Sequence, residues 1–409
     1  MTMNSLRCAL RGMSAYKHLL DSPLPAGALA LLDALAAGRG EEALDHYTTL
    51  FFTLAQEGYG GLGPWLADAL RGQEAPYPAA LERGTVFPAL EEAARRDVAV
   101  LSQLAELDCG DLIARMRELL PAEYDPVLEE LPRWQQGAPL SFEALRDFYL
   151  AHGAGLFAQN RAFLWEDGAL LPIAHPDSPS PEEMMGYERQ RDQVIANTRA
   201  LLEGNAVNNV LLYGDSGTGK SATVKSLLSI PGFEDLRLIE VQKEALADLP
   251  QLIRMLSGRR RKFILFIDDL AFDQDDRTYS ALKTILEGGL ERRPANVAIY
   301  ATSNRRHLVR QTFSDRAGDE VDAFETIQEK TSLAERFGLR IPYLSLNKAE
   351  FLSLVDQLAA LRGIQQDPDA LHAAAVAWEM HHPGRTPRTA TQFIHSLSLY
   401  CPPCGRGPG

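Results

Sequence analysis

The octapeptide Gly214-Asp215-Ser216-Gly217-Thr218-Gly219-Lys220-Ser221 leaves this chain few folds to choose from. It fits the pattern G-x-x-x-x-G-K-[ST], directly after the apolar run 209–213 and before a helical stretch at 222–228. Its glycines let the backbone turn tightly with the N–H groups facing inward, and the helix N-terminus that follows adds partial positive charge. Such a loop holds the oxygens of a di- or triphosphate. Lys220 is then expected to reach the β- and γ-phosphates, and the Ser221 hydroxyl to be an inner ligand of Mg2+. At Asp215 and Ser216 the backbone, rather than the side chain, is expected to face the phosphates.

Apolar runs at 209–213, 236–242, 262–267, 296–302 and 339–346 alternate with helical segments, which predicts a five-stranded parallel sheet with helices on both faces. The third run, Phe263-Ile264-Leu265-Phe266-Ile267, ends in Asp268-Asp269. A buried strand that delivers carboxylates at its C-terminal edge suits a Mg2+ site beside a phosphate loop. Asp268 is the metal-side carboxylate. Asp269 is the candidate to orient or deprotonate an attacking water, a strand-ending turn being its plainer reading. The fourth run ends in Thr302-Ser303-Asn304, where Asn304 can hydrogen-bond the γ-phosphate or the attacking water. Arg336, just before the last run, looks like an arginine finger for a neighbouring subunit's nucleotide, against an ordinary surface pairing with an acidic side chain. Arg388 opens a C-terminal helix from which it can swing to the γ-phosphate, with Arg385 as the alternative.

The rest of the chain is helical in pattern. Stretches 28–37, 41–56, 90–107 and 141–152 place apolar residues at three- and four-residue intervals, as in Leu90, Ala94, Val98, Leu101 and Ala105 on one face. The expected organisation is an acidic all-α domain at 1–171, a Pro-rich linker at 172–183, an α/β domain at 184–346, a small helical lid at 347–400 and a flexible tail at 401–409. Of the net charge of −14, residues 1–180 hold most, with 13 basic and 25 acidic side chains. Such a domain is repelled from phosphate backbones and anionic lipid, which favours a protein partner for it.

The order of phosphate loop, acidic strand end, Asn-ending strand, pre-strand Arg and lid Arg is that of the AAA+ ATPases, over residues 184–400. The segments GYERQRDQVIANTRALLEGNAVNNVLLYGDSGTGKS, FILFIDDLAFD, LKTILEGGLERRPANVAIYATSNRRHL and SLAERFGLRIP resemble the bacterial AAA+ proteins of domain-of-unknown-function family 815. Asp268-Asp269 is similar to that family's acidic strand end, whereas Glu335 stands where Asp is usual and Thr391 where a second Arg is common, leaving Arg388 as the better-matched lid arginine. The resemblance implies Mg2+-dependent ATP binding and hydrolysis and names no substrate.

Two functions follow as expectations. In the first, an ATPase assembles through Arg336 into a homo-oligomer and remodels a macromolecular partner held by the helical domain. In the second, a nucleotide-gated adaptor or loader hydrolyses slowly, which suits an Asp at 269 one methylene shorter than the Glu of many such enzymes. A small-molecule kinase leaves Asn304 and Arg388 without a role. Nucleic acid enters through the basic runs 258–262 and 305–307, which a ring could gather into a channel, although such runs are more often solvated loops. Cys401 and Cys404 could hold half a zinc site or a redox pair, or simply end a frayed terminus. With no apolar run of roughly 18–20 residues and no signal-peptide pattern, the expected setting is the cytosol, away from membranes.

Overall fold

A computed structural model describes residues 2–180, 184–271, 282–283, 285–286, 293–304, 333–382 and 384–400. Cys401, Cys404, the basic run 305–307, Ser332 and the 181–183 part of the linker lie outside the described residues. The chain divides into two compact units, Met1–Gln159 and Asn160–Gly409.

The first unit is built from helices such as Pro23–Ala36, Gly40–Gln56, Pro88–Ala105 and Phe142–His152. The face expected on the third of these is buried at Ala94, Val98, Leu101 and Ala105. In the fully buried Asp97, Oδ2 accepts the backbone N–H groups of Ser14, Ala15 and Tyr16 at 2.8, 2.7 and 3.1 Å, while Oδ1 makes no hydrogen bond and faces the Arg96 guanidinium at 3.5 Å. That bonding explains how an acidic side chain sits in an otherwise apolar core.

The second unit is organised by one sheet of β1 (Ala162–Glu166), β2 (Ala169–Pro172), β3 (Val210–Gly214), β4 (Leu236–Val241), β5 (Lys262–Ile267), β6 (Val297–Ser303) and β7 (Leu339–Tyr343). Its order is β2-β1-β4-β5-β6-β3-β7, and every pairing is parallel except β1 with β2. β5 is central and uniformly apolar from Phe263 to Ile267, and all five of those residues are buried, as a strand covered on both faces must be.

Among the described residues the sheet therefore has seven strands, not five, and the helical texture expected up to residue 171 stops short of β1. The runs AFLWE and ALLP are rich in the same Ala and Leu as the helices before them, which hides them from a periodicity reading. The turn between them was nevertheless written in the sequence. Asp167-Gly168 is a two-residue hairpin loop with φ of +49° and +76°, the combination that matches the twist of paired strands. β1 then lies parallel to β4 and buries Phe163 and Trp165 completely.

The Pro-rich stretch continues from β2 along the second unit: Ile173 N–H donates to Ala162 O at 2.9 Å and Ser178 Oγ to Lys225 O at 2.9 Å. The C-terminal helices Lys348–Leu361, Pro368–Glu379 and Pro387–Tyr400 enclose a core of their own around Phe351, Val355, Leu371, Ala375 and Phe393. Asn347 caps the first of them in a reciprocal pair with Glu350. Among the described residues no helix is long and apolar enough to cross a membrane.

If the hairpin belongs to the second unit, a fragment beginning at Asn160 is expected to unfold cooperatively, and one beginning at residue 173 to be destabilised. Removing two buried aromatics, at ~1.5–3 kcal/mol each, should lower the thermal midpoint by about 10 °C. Equal midpoints would return the boundary to 171/172.

Candidate functional site

The chain runs from β3 to β4 on one side of the sheet and returns to β7 on the other, so β3 sits at the point where strand order reverses. In open parallel sheets the crevice at the C-terminal ends of such strands is where ligands bind. Four segments meet there: the glycine loop after β3, Asp268-Asp269 after β5, Thr302-Ser303-Asn304 at the end of β6, and the turn after β7.

Gly214 must lack a side chain, because a Cβ there would stand 2.0 Å from Tyr343 O, at a φ of +142°. This close approach lets Asp215 N–H donate to Tyr343 O at 3.0 Å and tucks the loop against β7. The loop then passes through Gly219, whose φ is +91°, into the helix Lys220–Ser226.

Lys220 is 6% exposed, and its ammonium donates to Gly214 O at 3.1 Å, Asp215 O at 2.7 Å and Asn304 Oδ1 at 2.9 Å. Burial pushes its pKa below the ordinary lysine value, against the pull of Asp215, Asp269 and Asp268, and Arg388 pushes the same way as burial. A phosphate on this ammonium would supply the counter-charge that neutral oxygens give only in part. Asn304 also donates from Nδ2 to Asp269 Oδ1 at 2.7 Å, so one amide bridges the buried cation and the second carboxylate.

Asp268 Oδ1 gathers three donors: Ser221 Oγ at 2.6 Å, Thr302 Oγ1 at 2.5 Å and Asp269 N–H at 3.2 Å. Thr302 Oγ1 in turn accepts Asp269 N–H at 2.9 Å. Asp269 has a φ of +48°, in the left-handed region that few non-glycine residues adopt. Among the described residues no group of three or more His, Cys, Asp or Glu is arranged to hold a metal. The donor set of one hydroxyl and one carboxylate is of the kind Mg2+ takes, since that ion keeps several waters and shares its shell with phosphate oxygens.

These groups line a cavity of about 460 Å³. The lining combines polar residues, among them Lys220, Ser221, Asp268, Asp269, Thr302 and Asn304, with the apolar Met184, Met185, Leu354 and Leu358. Gly186 and Tyr187, just before the helix Glu188–Leu202, are part of the lining. Tyr187 stacks on Tyr343 with ring centroids 5.0 Å apart and donates from its hydroxyl to Leu344 O at 2.5 Å. The mostly buried Arg191 also lines the cavity and donates to Gly186 O.

Of the residues singled out in the sequence, Ser216, Gly217, Thr218, Gly219, Lys220, Ser221, Asp268, Asp269, Asn304 and Arg388 line this cavity. Gly214 and Asp215 stand behind it. Arg388 is fixed at the loop by its own N–H, which donates to Gly217 O at 3.2 Å, whereas Arg385 pairs with Glu379 at 3.0 Å and does not line the cavity. Arg336 is exposed and is not among the residues lining its own chain's cavity. In the first basic run, Arg261 is buried in an ion pair with Asp235, and Asn296 Nδ2 holds the carbonyls of Leu256 and Arg259 at 2.9 and 3.0 Å. That part of the run is structural, contrary to a fully solvated basic loop. Thr302 was passed over as a functional residue, although its place two before Asn304 at the end of an apolar strand was the available signal. Gly214→Ala is expected to cost about 3 kcal/mol or more by forcing β3 from β7; an unchanged unfolding midpoint in urea would contradict the close approach.

Solved structures that the chain is similar to include the RuvB Holliday junction branch migration motor of Thermotoga maritima, at 17% identity and a TM-score of 0.32, covering 53% of this chain and 63% of that one. A variant of the same organism's RuvB matches at 17% identity and a TM-score of 0.36, with the same coverage. The chain thus spans less than two thirds of the length of these structures. No curated protein matches it. Residues 158–399, which are nearly the whole second unit and more than half of the chain, match a family described as protein of unknown function (DUF815). The chain belongs to that family.

Proposed function

We propose that this chain is an AAA+ protein that binds ATP with Mg2+, hydrolyses it, and couples turnover to movement of its lid and remodelling of a macromolecular partner. The observation that carries the reading is the continuous chain of contacts from Lys220 through Asn304 to Asp269, beside the Ser221–Asp268 pair, in a cavity that apolar residues also line. Lys220 and the loop N–H groups would hold the polyphosphate, and the apolar lining of Met185, Leu354 and Leu358 would take the base. Mg2+ at Ser221 and Asp268 would neutralise phosphate charge. Asp269 would orient a water and accept its proton, a role supported by the bond through which Asn304 fixes the carboxylate's direction. Arg388 would add positive charge from the lid, and the exposed Arg336 supports a homo-oligomer in which it reaches a neighbour's nucleotide. The acidic helical unit is the proposed holder of a protein partner.

One feature favours the slower, nucleotide-gated adaptor or loader as a second reading. The shorter carboxylate of Asp269 is tied to Asn304 in a left-handed backbone, so freeing it for a water requires a rearrangement that a partner could supply.

Phosphate release from Mg-ATP tests the proposal, with phosphate expected as free product. Lys220→Ala should weaken ATP binding by about tenfold or more, and Asp269→Asn should still bind ATP while releasing phosphate about a hundredfold more slowly. Arg336→Ala should slow turnover by about a hundredfold or more while leaving affinity for ATP within about threefold. Turnover per subunit that is independent of protein concentration, together with a harmless Arg336→Ala, would contradict assembly. A pull-down with Asp269→Asn in ATP against ADP should retain the partner with ATP alone.

A further inference from the structure

We propose that Asp215 is a positioning residue that clasps the lid to the phosphate loop and so sets where Arg388 stands. The inference rests on the nucleotide reading above and adds the path by which the loop and the lid are coupled.

A carboxylate in the second position of a loop meant for polyphosphate is electrostatically out of place, since like charges a few ångströms apart repel strongly where water is scarce. The structure resolves the conflict by turning the side chain away from the cavity. Asp215 Oδ2 accepts both the N–H of Ser345 at 2.8 Å and its hydroxyl at 2.7 Å, two charge-assisted bonds to one residue. Ser345 lies between the end of β7 at Tyr343 and the capping residue Asn347 of the first lid helix, in the short segment through which the lid leaves the sheet.

From Ser345 the contacts return to the loop. Leu346 N–H donates to Arg385 O at 2.9 Å, which ties this segment to the start of the last lid helix. Three residues on, Arg388 N–H donates to Gly217 O at 3.2 Å. The circuit begins at Asp215 and closes at Gly217, two residues away in the same loop. Apart from the clasp, its bonds are made by main chain; the side chains in it are those of Asp215 and Ser345. A ligand that reshapes the loop therefore pulls on both ends of the lid, and the lid cannot swing without disturbing the loop. Asp215 also lies close enough to Lys220 to favour its charged form, so a purely electrostatic role for the carboxylate is the rival explanation.

Asp215→Ala and Asp215→Asn in the full chain separate the two, because Asn keeps an acceptor for Ser345 and loses the charge. Without nucleotide, hydrogen exchange at the amides of Ser345 and Arg388 is expected to accelerate about tenfold in Asp215→Ala and to stay near the parent rate in Asp215→Asn. With Mg-ATP, Asp215→Ala should lower kcat about tenfold while KM stays within about threefold, with no further loss on an Arg388→Ala background. Unchanged exchange at Arg388 when Ser345 is released, Asn behaving as Ala, or full additivity with Arg388→Ala would overturn the clasp. A parent chain that releases no phosphate would refute hydrolysis, and the exchange measurements would still decide the clasp.

Discussion

A lysine ammonium taken almost out of water has to be surrounded by oxygens, and the second unit is arranged around meeting that demand for Lys220. Two of its three oxygens are carbonyls of the loop itself, at Gly214 and Asp215, and the third is the amide of Asn304 from the neighbouring strand. The carbonyls point inward because glycines permit the turn, and Asn304 is in reach because β6 pairs directly with β3. Neutral oxygens satisfy geometry and only part of the charge, and the carboxylates of Asp215, Asp269 and Asp268 favour the ammonium from farther off. Ser221 and Asp268 meanwhile satisfy one another through a direct hydrogen bond.

The same circumstance relates the site to the lid. Gly214 lies so close to β7 that the loop and the lid's exit segment are hydrogen-bonded neighbours, and Asp215, which has no place facing phosphate, finds its partner there. An acidic residue at this position thus has a mechanical use. Thr302 plays a comparable part on the opposite side, where one hydroxyl donates to the Asp268 carboxylate and accepts the backbone N–H of Asp269, tying the first carboxylate to the main chain of the second acidic residue.

Much of the site could be read from the chain because its parts are local. A glycine loop between strand and helix, or two carboxylates closing an apolar strand, carries its chemistry within eight or so residues. The buried strands were legible for a similar reason: β5 is apolar from Phe263 to Ile267 and β6 from Val297 to Ala301. The hairpin at 162–172 was missed because its strands are short and share the composition of the helices before them, so that only the Asp167-Gly168 turn betrayed it. The clasp was illegible in principle, since nothing local to Asp215 announces Ser345, 130 positions later. The acidic excess of the first 180 residues falls mostly on the helical unit, which precedes nearly all of the family match, so the family-matched residues and the excess charge occupy different parts of the chain.

The central claim is that Ser221 and Asp268 hold a hard divalent cation together with a polyphosphate bound on Lys220. Electron–nuclear double resonance with Mn2+ in place of Mg2+ tests it most directly, with and without a non-hydrolysable ATP analogue. Mn2+ should bind firmly only in the presence of the analogue and show phosphorus couplings, and both should be lost in Ser221→Ala. Mn2+ that binds equally well without nucleotide, or that shows no phosphorus coupling, would contradict the claim.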